Sequence, residues 1–370
     1  MDRRRPRDQG PLGAHGADAT TLGGNADGLP MKSPSMQAWV VDRPGPIDSG
    51  PLRRVEREVP EPGPGQVRLR VSVCGVCRTD LHLAEGDLSP RHPRVVPGHE
   101  VVGVVDRLGP ECARLRKGDR VGVPWLAHTC GTCRFCTTGR ENLCLAPLFT
   151  GWDVDGGYAD YAVVNEAYAY RLPAEFSDEE AAPLLCAGII GYRALRRSNL
   201  PAGGRLGIYG FGGSAHLTAQ IALAEGARVH VLTRSAEARA LALELGALSV
   251  GEADAAPPEP LDAALLFAPI GALVLSALTA LDRGGTLAVA GIHLSDIPTL
   301  HYQEHLFEER TLRSVTANTR QDGEEFLALA SQIPVRVTTT PYGLDEADTA
   351  LRDLAHDRVN GAAVLVNSDL

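Results

Sequence analysis

Four cysteines, Cys130, Cys133, Cys136 and Cys144, fall within the single run HTCGTCRFCTTGRENLC. Four thiolates this close in sequence are the ligand set of a tetrahedral structural Zn²⁺ site. Such a set leaves no open position for substrate or water. The lobe around it is therefore expected to support the fold and to perform no chemistry. Disulfides are the alternative, but the chain shows no secretory signal and cytosolic thiols stay reduced. The closely spaced Cys-x-x-Cys pairs favour metal.

Four further cysteines complete the count of eight: Cys74, Cys77, Cys112 and Cys186. Cys74 and Cys77 lie in CGVCRTDLH, ahead of Arg78, Thr79, Asp80 and His82. PGHEVVG follows with His99 and Glu100, and PLLCAG carries Cys186 far downstream. A catalytic zinc takes three protein ligands and keeps a fourth position open, and two thiolates with one imidazole are a known set. Cys77, His99 and Cys186 would supply it, although their spacing alone does not bring them together. Cys74 and Cys112 read as packed, structural thiols.

A chain of 370 residues is expected to form two domains. With 44% hydrophobic and 22% charged residues it can bury a full core. The net charge of −10, without a basic stripe, argues against a nucleic-acid partner. No apolar run reaches the ~18 residues of a membrane span, so no membrane association is expected. Residues 1–35 are rich in Gly, Ala, Asp and Arg and poor in large apolar side chains. They read as a disordered tail, or as a start upstream of the true one, since Met31 and Met36 both precede the fold. MDRRRPR lacks the apolar stretch of a signal peptide, and a cytoplasmic location is expected.

From Gln37 to about Tyr170 short β-branched runs such as QVRLRVSV and VVGVVDRL are broken by Gly and Pro, which predicts a barrel-like β domain. From about Ala181 the texture changes. EEAAPLLCAGIIGYRAL is helical in composition, and strand and helix then alternate through RLGIYG, GGSAHLTAQIALAEGA, ARVHVLT, AEARALALELGA, LDAALLFAP, SALTALDRGG and TLAVAGI. This alternation predicts a doubly wound parallel sheet. Gly210, Gly212 and Ala215 form G-x-G-x-x-A between a strand and a helix, with Gly213 beside them. That context predicts dinucleotide binding, with pyrophosphate at the helix N-terminus. An acid about 20 residues on would bind a ribose diol. Thr233, Arg234 and Ser235 stand there instead, with no carboxylate. Arg234 and two hydroxyls suit a 2′-phosphate, which favours NADP over NAD. The alternative is a solvated Arg234 and an enzyme that accepts either cofactor.

These motifs, in this order, resemble the zinc-dependent alcohol dehydrogenases of the medium-chain dehydrogenase/reductase superfamily, from about Met36 to the C-terminus. CGVCRTDLH resembles the family's first metal segment, and Gly98-His99-Glu100 with Gly103 and Gly109 its zinc signature. Within the family the chain is most similar to the bacterial, mycobacterial-type enzymes. The resemblance implies an α/β fold: a β-rich GroES-like catalytic domain over residues 36–178, a Rossmann NAD(P)-binding domain over 179–312, and a return to the catalytic domain over 313–370. It implies two Zn²⁺ per chain, with Cys77, His99 and Cys186 at the catalytic ion and Cys130, Cys133, Cys136 and Cys144 at the structural one.

Further roles come with the same resemblance. Asp80 would hydrogen-bond His99, and Glu100 would lie behind the metal. Thr79 and His82 would relay the alcohol proton through the cofactor ribose, and Arg78 would face the pyrophosphate. Trp125 would narrow the substrate pocket, its alternative being a core aromatic. Two positions depart from the family: Ala362 stands where an Arg often grips the pyrophosphate, and Ile190 where a Thr commonly packs on the nicotinamide. The implied activity is reversible hydride transfer between a primary alcohol/aldehyde pair and NAD(P), in a homodimer or homotetramer. Polyol or formaldehyde dehydrogenases and zinc-free quinone reductases of the same superfamily are the alternatives. A zinc-ribbon binding module is a third, disfavoured by the second ligand set.

Overall fold

The computed structural model describes residues 34–368. The expected tail over 1–35 lies outside them but for its last two residues, and Ser35 opens the first strand.

The first half is β-rich. β1 (Ser35–Val41) and β2 (Leu52–Glu58) pair antiparallel. β3 (Gln66–Val76) alternates as its sequence predicts, with Val67, Leu69, Val71 and Val73 buried. Then come α1 (Arg78–Glu85), β4 (Val101–Leu108), β5 (Arg120–Val123), β6 (Leu126–His128), β7 (Leu148–Phe149), β8 (Tyr161–Asn165) and β9 (Tyr170–Arg171). β6 and β7 form the hairpin from which the four-cysteine lobe projects. α2 (Asp178–Pro183) starts in a capping box: Ser177 Oγ accepts from Glu180 N–H, and Glu180 Oε2 from Ser177 N–H. Pro183 is followed by a π-helical turn over Leu184–Gly188 that carries Cys186, and the helix resumes as α3 (Ile189–Arg197). Such turns recur at functional sites because they re-aim side chains.

The second half alternates strand and helix: β10 (Arg205–Tyr209), α4 (Gly213–Ala224), β11 (Arg228–Leu232), α5 (Ala236–Glu244), β12 (Ser249–Gly251), β13 (Leu261–Leu266), α6 (Ala272–Ala280), β14 (Leu281–Val289), α7 (Tyr302–His305), β15 (Thr311–Ser314), α8 (Arg320–Ala330), β16 (Thr339–Gly343), α9 (Ala347–Ala355) and β17 (Ala362–Val366). Six strands form an all-parallel sheet in the order β12-β11-β10-β13-β14-β15. The order reverses between β10 and β13, the switch point at which a doubly wound sheet binds its ligand. A second, seven-stranded sheet runs β16-β17-β3-β4-β5-β9, with β8 on β3.

Two details differ from the sequence reading. LDRGG is read as helix, but α6 ends at Ala280 and Leu281 already pairs with Leu261. Return to the first sheet is expected from residue 313, but β15 crosses that line as the edge of the six-stranded sheet. The chain rejoins the seven-stranded sheet at β16. One core joins the two sheets: Val73, Val102 and Val364 pack in the same cluster as Leu184, Ile189, Leu206 and Ile208.

Candidate active site and metal centres

Four sulfurs meet in the lobe between β6 and β7. Each of Cys130, Cys133, Cys136 and Cys144 has its Sγ within 4.8 Å of the other three. The separations include 3.5 Å for Cys133–Cys136, 3.5 Å for Cys130–Cys144 and 3.9 Å for Cys130–Cys136. A disulfide needs about 2.05 Å. A tetrahedron of Zn–S bonds of about 2.3 Å has edges of about 3.8 Å, so the sulfurs fit a metal. Backbone N–H groups of Cys133, Cys130 and Ala146 point at Sγ atoms, at 3.4, 3.3 and 3.4 Å. Amide donors from Thr132 and Cys133 pull the Cys130 thiol down to about 6, and those of Cys136 and Leu145 lower Cys133. These donors favour thiolate, the form that binds metal. The lobe is tied to the rest of the fold through Glu141, which takes a bidentate pair from Arg320 at the start of α8, with Arg320 Nη2 at 2.7 Å from Oε2.

The second cluster gathers Cys77, His99, Glu100 and Cys186, with one ligand atom from each again within 4.8 Å of the others. Cys77 is the N-cap of α1, His99 and Glu100 precede β4, and Cys186 sits on the π turn. Cys77 Sγ and Cys186 Sγ are 3.9 Å apart. The Cys186 S–H shared with Cys77 holds the Cys77 thiol well below the usual range, with His99 adding to the effect. Two thiols, an imidazole and a carboxylate at this separation also fit a Zn²⁺.

Asp80 organises this cluster. Its Oδ1 accepts from Gly98 N–H at 3.0 Å and lies 3.2 Å from His99 Nδ1, while its Oδ2 accepts from Cys77 N–H at 3.0 Å. Nδ1–H donation to Asp80 leaves His99 Nε2 as the ligand atom, the usual arrangement of a carboxylate behind a metal-binding histidine. Glu100 stands beside these ligands, with a carboxylate oxygen within 4.8 Å of the ligand atoms of Cys77, His99 and Cys186. Its approach depends on Gly75, where a Cβ would come 1.8 Å from Glu100 Oε2. Burial raises the Glu100 carboxyl well above its usual range.

Around the cluster, Thr79 is buried, with its Oγ1 3.9 Å from Cys77 Sγ. His82 lies further along α1, with Nδ1 3.0 Å from Asp87 Oδ2. Trp125 sets its ring edge on His99, centroids 5.0 Å apart, and stacks on Phe149 at 4.9 Å and Trp152 at 5.9 Å. Phe149 and Trp152 carry no sequence signal beyond being aromatic, and the fold stacks both on Trp125.

The glycine turn abuts the cluster. Gly210 has φ +82°, and a Cβ there would lie 2.8 Å from Ala268 N, so only glycine fits. Above Gly212 the space is open, and Gly213 begins α4 against Ala187, the neighbour of Cys186. At the end of β11, Thr233 is buried and Arg234 exposed. Ser235 caps α5, its Oγ accepting from Ala238 N–H and donating to Glu237 Oε2 at 2.8 Å. The strand end therefore does hold a carboxylate, brought in by the first turn of α5. It also holds a second guanidinium unseen in sequence: Arg239 Nη1 donates to Thr233 O at 2.7 Å and pairs with Glu252. Arg78 pairs with Asp357 at 2.5 Å, on the loop before β17. Ala362 opens β17 opposite Thr339, and Ile190 lies on α3.

A four-sulfur lobe on the β-rich part, and a second metal-fitting cluster beside a glycine turn on a six-stranded parallel sheet, define a dinucleotide-dependent, metal-binding oxidoreductase. Residues 63–174 match the alcohol dehydrogenase GroES-like domain and residues 213–332 the zinc-binding dehydrogenase family. The chain belongs to the zinc-binding alcohol dehydrogenases of the medium-chain superfamily. It is 58% identical over 342 residues to the "Probable alcohol dehydrogenase AdhA" of Mycobacterium tuberculosis, covering 91% of this chain and 99% of that one, in line with the mycobacterial-type resemblance. An alcohol dehydrogenase of Geobacillus stearothermophilus is 35% identical, over 85% of this chain and 96% of its own. The solved cobalt- and zinc-bound thermostable alcohol dehydrogenase of Pyrobaculum aerophilum superposes with a TM-score of 0.81 at 28% identity, covering 90% of this chain and 99% of that one. Among the described residues no helix is long and apolar enough to cross a membrane.

Proposed function

We propose that the protein interconverts primary alcohols and aldehydes with NAD(P), NADP preferred, as a cytoplasmic homodimer or homotetramer carrying two Zn²⁺ per chain. The observation that carries this reading is the convergence of Cys77, His99, Glu100 and Cys186, from three separate elements, beside the glycine turn. Cys77, His99 and Cys186 would hold the catalytic zinc, with Glu100 within reach of it. Cys130, Cys133, Cys136 and Cys144 would hold the structural ion. The catalytic part spans 36–178 and the last strands, and the dinucleotide part lies between them. When bound, zinc makes an alcohol hydroxyl more acidic and the nicotinamide takes up the hydride. The chain's own residues do the rest. Thr79 accepts the hydroxyl proton as it gives up its own, His82 takes up the relayed proton further out, Asp80 keeps His99 in the ligating tautomer, and Trp125 bounds the substrate. Gly210, Gly212, Gly213 and Arg78 receive the pyrophosphate, Arg78 exchanging Asp357 for it.

His82→Ala is expected to slow alcohol oxidation most at lower pH, where water is a poor proton acceptor, and less at high pH, where hydroxide substitutes. An unchanged pH–rate profile removes His82 from the route. Arg234, exposed and without an ionic partner among the described residues, is placed to meet a 2′-phosphate. A hydrogen bond to a charged group contributes about 1.5–3 kcal/mol, or ~10- to 100-fold in affinity. Arg234→Ala should therefore raise the KM for NADP⁺ about tenfold or more and leave that for NAD⁺ almost unchanged. Thr233→Asp should turn the preference toward NAD⁺. A wild-type enzyme with the higher kcat/KM for NAD⁺ would refute the assignment and point to Glu237 as the ribose acceptor. The activity itself is tested by steady-state rates across primary, aromatic and polyol alcohols, since a polyol preference would select the neighbouring dehydrogenase class.

A further inference from the structure

We propose that Asp87 and His293 are positioning residues that hold His82 in the orientation and tautomer needed to accept a proton. This rests on the reading of His82 as the outer member of the proton route. His82 stands in the last turns of α1. Its backbone carbonyl accepts from both Gly86 and Leu88 N–H, at 3.0 Å each, so the chain folds back at the helix end. That turn brings Asp87 Oδ2 to 3.0 Å from His82 Nδ1. With Nδ1–H donated to a carboxylate, the lone pair is left on Nε2, the nitrogen free to take up a proton.

The opposite constraint comes from the other sheet. His293 lies on the loop after β14, and its ring centroid is 4.1 Å from that of His82, the planes tilted by 46°. This loop is anchored on both sides of His293. Gly291 is close-packed on the Phe267 and Ala268 carbonyls, the same Ala268 that closes on Gly210. Ser295 Oγ accepts from Gly271 N–H at 2.9 Å, and Ser295 N–H donates to Pro269 O at 3.3 Å. His293 itself has φ +54°, the left-handed region that costs a non-glycine residue energy and is retained where the surroundings impose it. The strand-edge loop thus holds a ring against His82 beside the dinucleotide turn.

Among the described residues, Asp87 and His293 are the titratable groups that meet the His82 ring. Among the described residues no hydrogen bond joins the two imidazoles, so His293 acts on His82 by packing and stands outside the proton route. A side chain fixed along one edge by a carboxylate and on one face by a ring starts its reaction with less orientational freedom to lose.

Three variants and one spectrum test this. His293→Ala should lower kcat/KM for alcohol oxidation about 3- to 10-fold near neutral pH, the loss shrinking as hydroxide takes over at high pH. His293→Phe, which keeps a ring face but no titratable nitrogen, should restore most of the loss. In the ligand-free protein, ¹⁵N NMR of the His82 ring should show hydrogen on Nδ1, and Asp87→Ala should shift it toward Nε2. A His293→Ala enzyme as fast as wild type, or one slowed equally at every pH, would overturn the proposal. So would a His293→Phe enzyme as slow as His293→Ala, or a His82 tautomer indifferent to Asp87. If His82→Ala is itself without effect, the relay fails and the proposal with it. If His82→Ala is slow and His293→Ala is not, the positioning alone fails.

Discussion

Cys77→Ser is expected to abolish turnover while leaving the fold intact. The sulfur of Cys77 is 3.9 Å from that of Cys186, inside the cluster with His99 and Glu100, and its thiol is held well below the usual range. A serine hydroxyl at that place stays protonated at neutral pH and is a poor ligand for zinc. A catalytic metal supplies several kcal/mol of transition-state stabilisation. At 1.36 kcal/mol per tenfold, losing about 4 kcal/mol slows the reaction ~10³-fold. The fold should survive because Cys77 is the N-cap of α1, a position serine fills well. Its N–H keeps Asp80 as partner. Steady-state rates, with thermal unfolding as the control, check this. Retained turnover would remove Cys77 from the metal site.

The counterpart in the structural lobe should behave in the opposite way. Cys133→Ser is expected to lower stability first and activity only as a consequence. Cys133 Sγ is 3.5 Å from Cys136 Sγ, and the four sulfurs draw together a lobe built from short turns. Structural zinc contributes its binding free energy to folding, and loss of a metal is among the few single changes that cost more than about 4 kcal/mol. At roughly 2–4 °C per kcal/mol, the melting temperature should fall by about 10 °C. The effect should spread beyond the lobe. Glu141 ties it to Arg320, and Asn142 Nδ2 donates to Thr316 O at 2.9 Å. Unchanged melting would show that these thiols stabilise nothing.

What the sequence could disclose depended on whether the signal was local. The lobe was legible because its four ligands lie in one short run. The parallel sheet was legible because strand and helix alternate at short range. The β14 start was not, because Leu281 follows α6 without a breaker and is drawn into strand by pairing with Leu261. The approach of the Glu100 carboxylate to the cluster depends on the missing Cβ of Gly75, on β3, which no local pattern discloses. Glu237 and Arg239 reach the end of β11 only because α5 begins with a tight turn there. His293 is brought to His82 by the packing of one sheet's loop on the other part's helix, a contact no local pattern encodes.

The central claim is that this chain oxidises alcohols with a nicotinamide cofactor at the zinc held by Cys77, His99 and Cys186. The most direct test is the rate of alcohol-dependent NADP⁺ reduction, with zinc per chain measured on the same samples, before chelation, after it and after zinc is returned. About two zinc ions per chain should be found at first. The rate should vanish as the first ion leaves and recover when it is restored. Full alcohol-dependent activity in protein free of zinc would contradict the account.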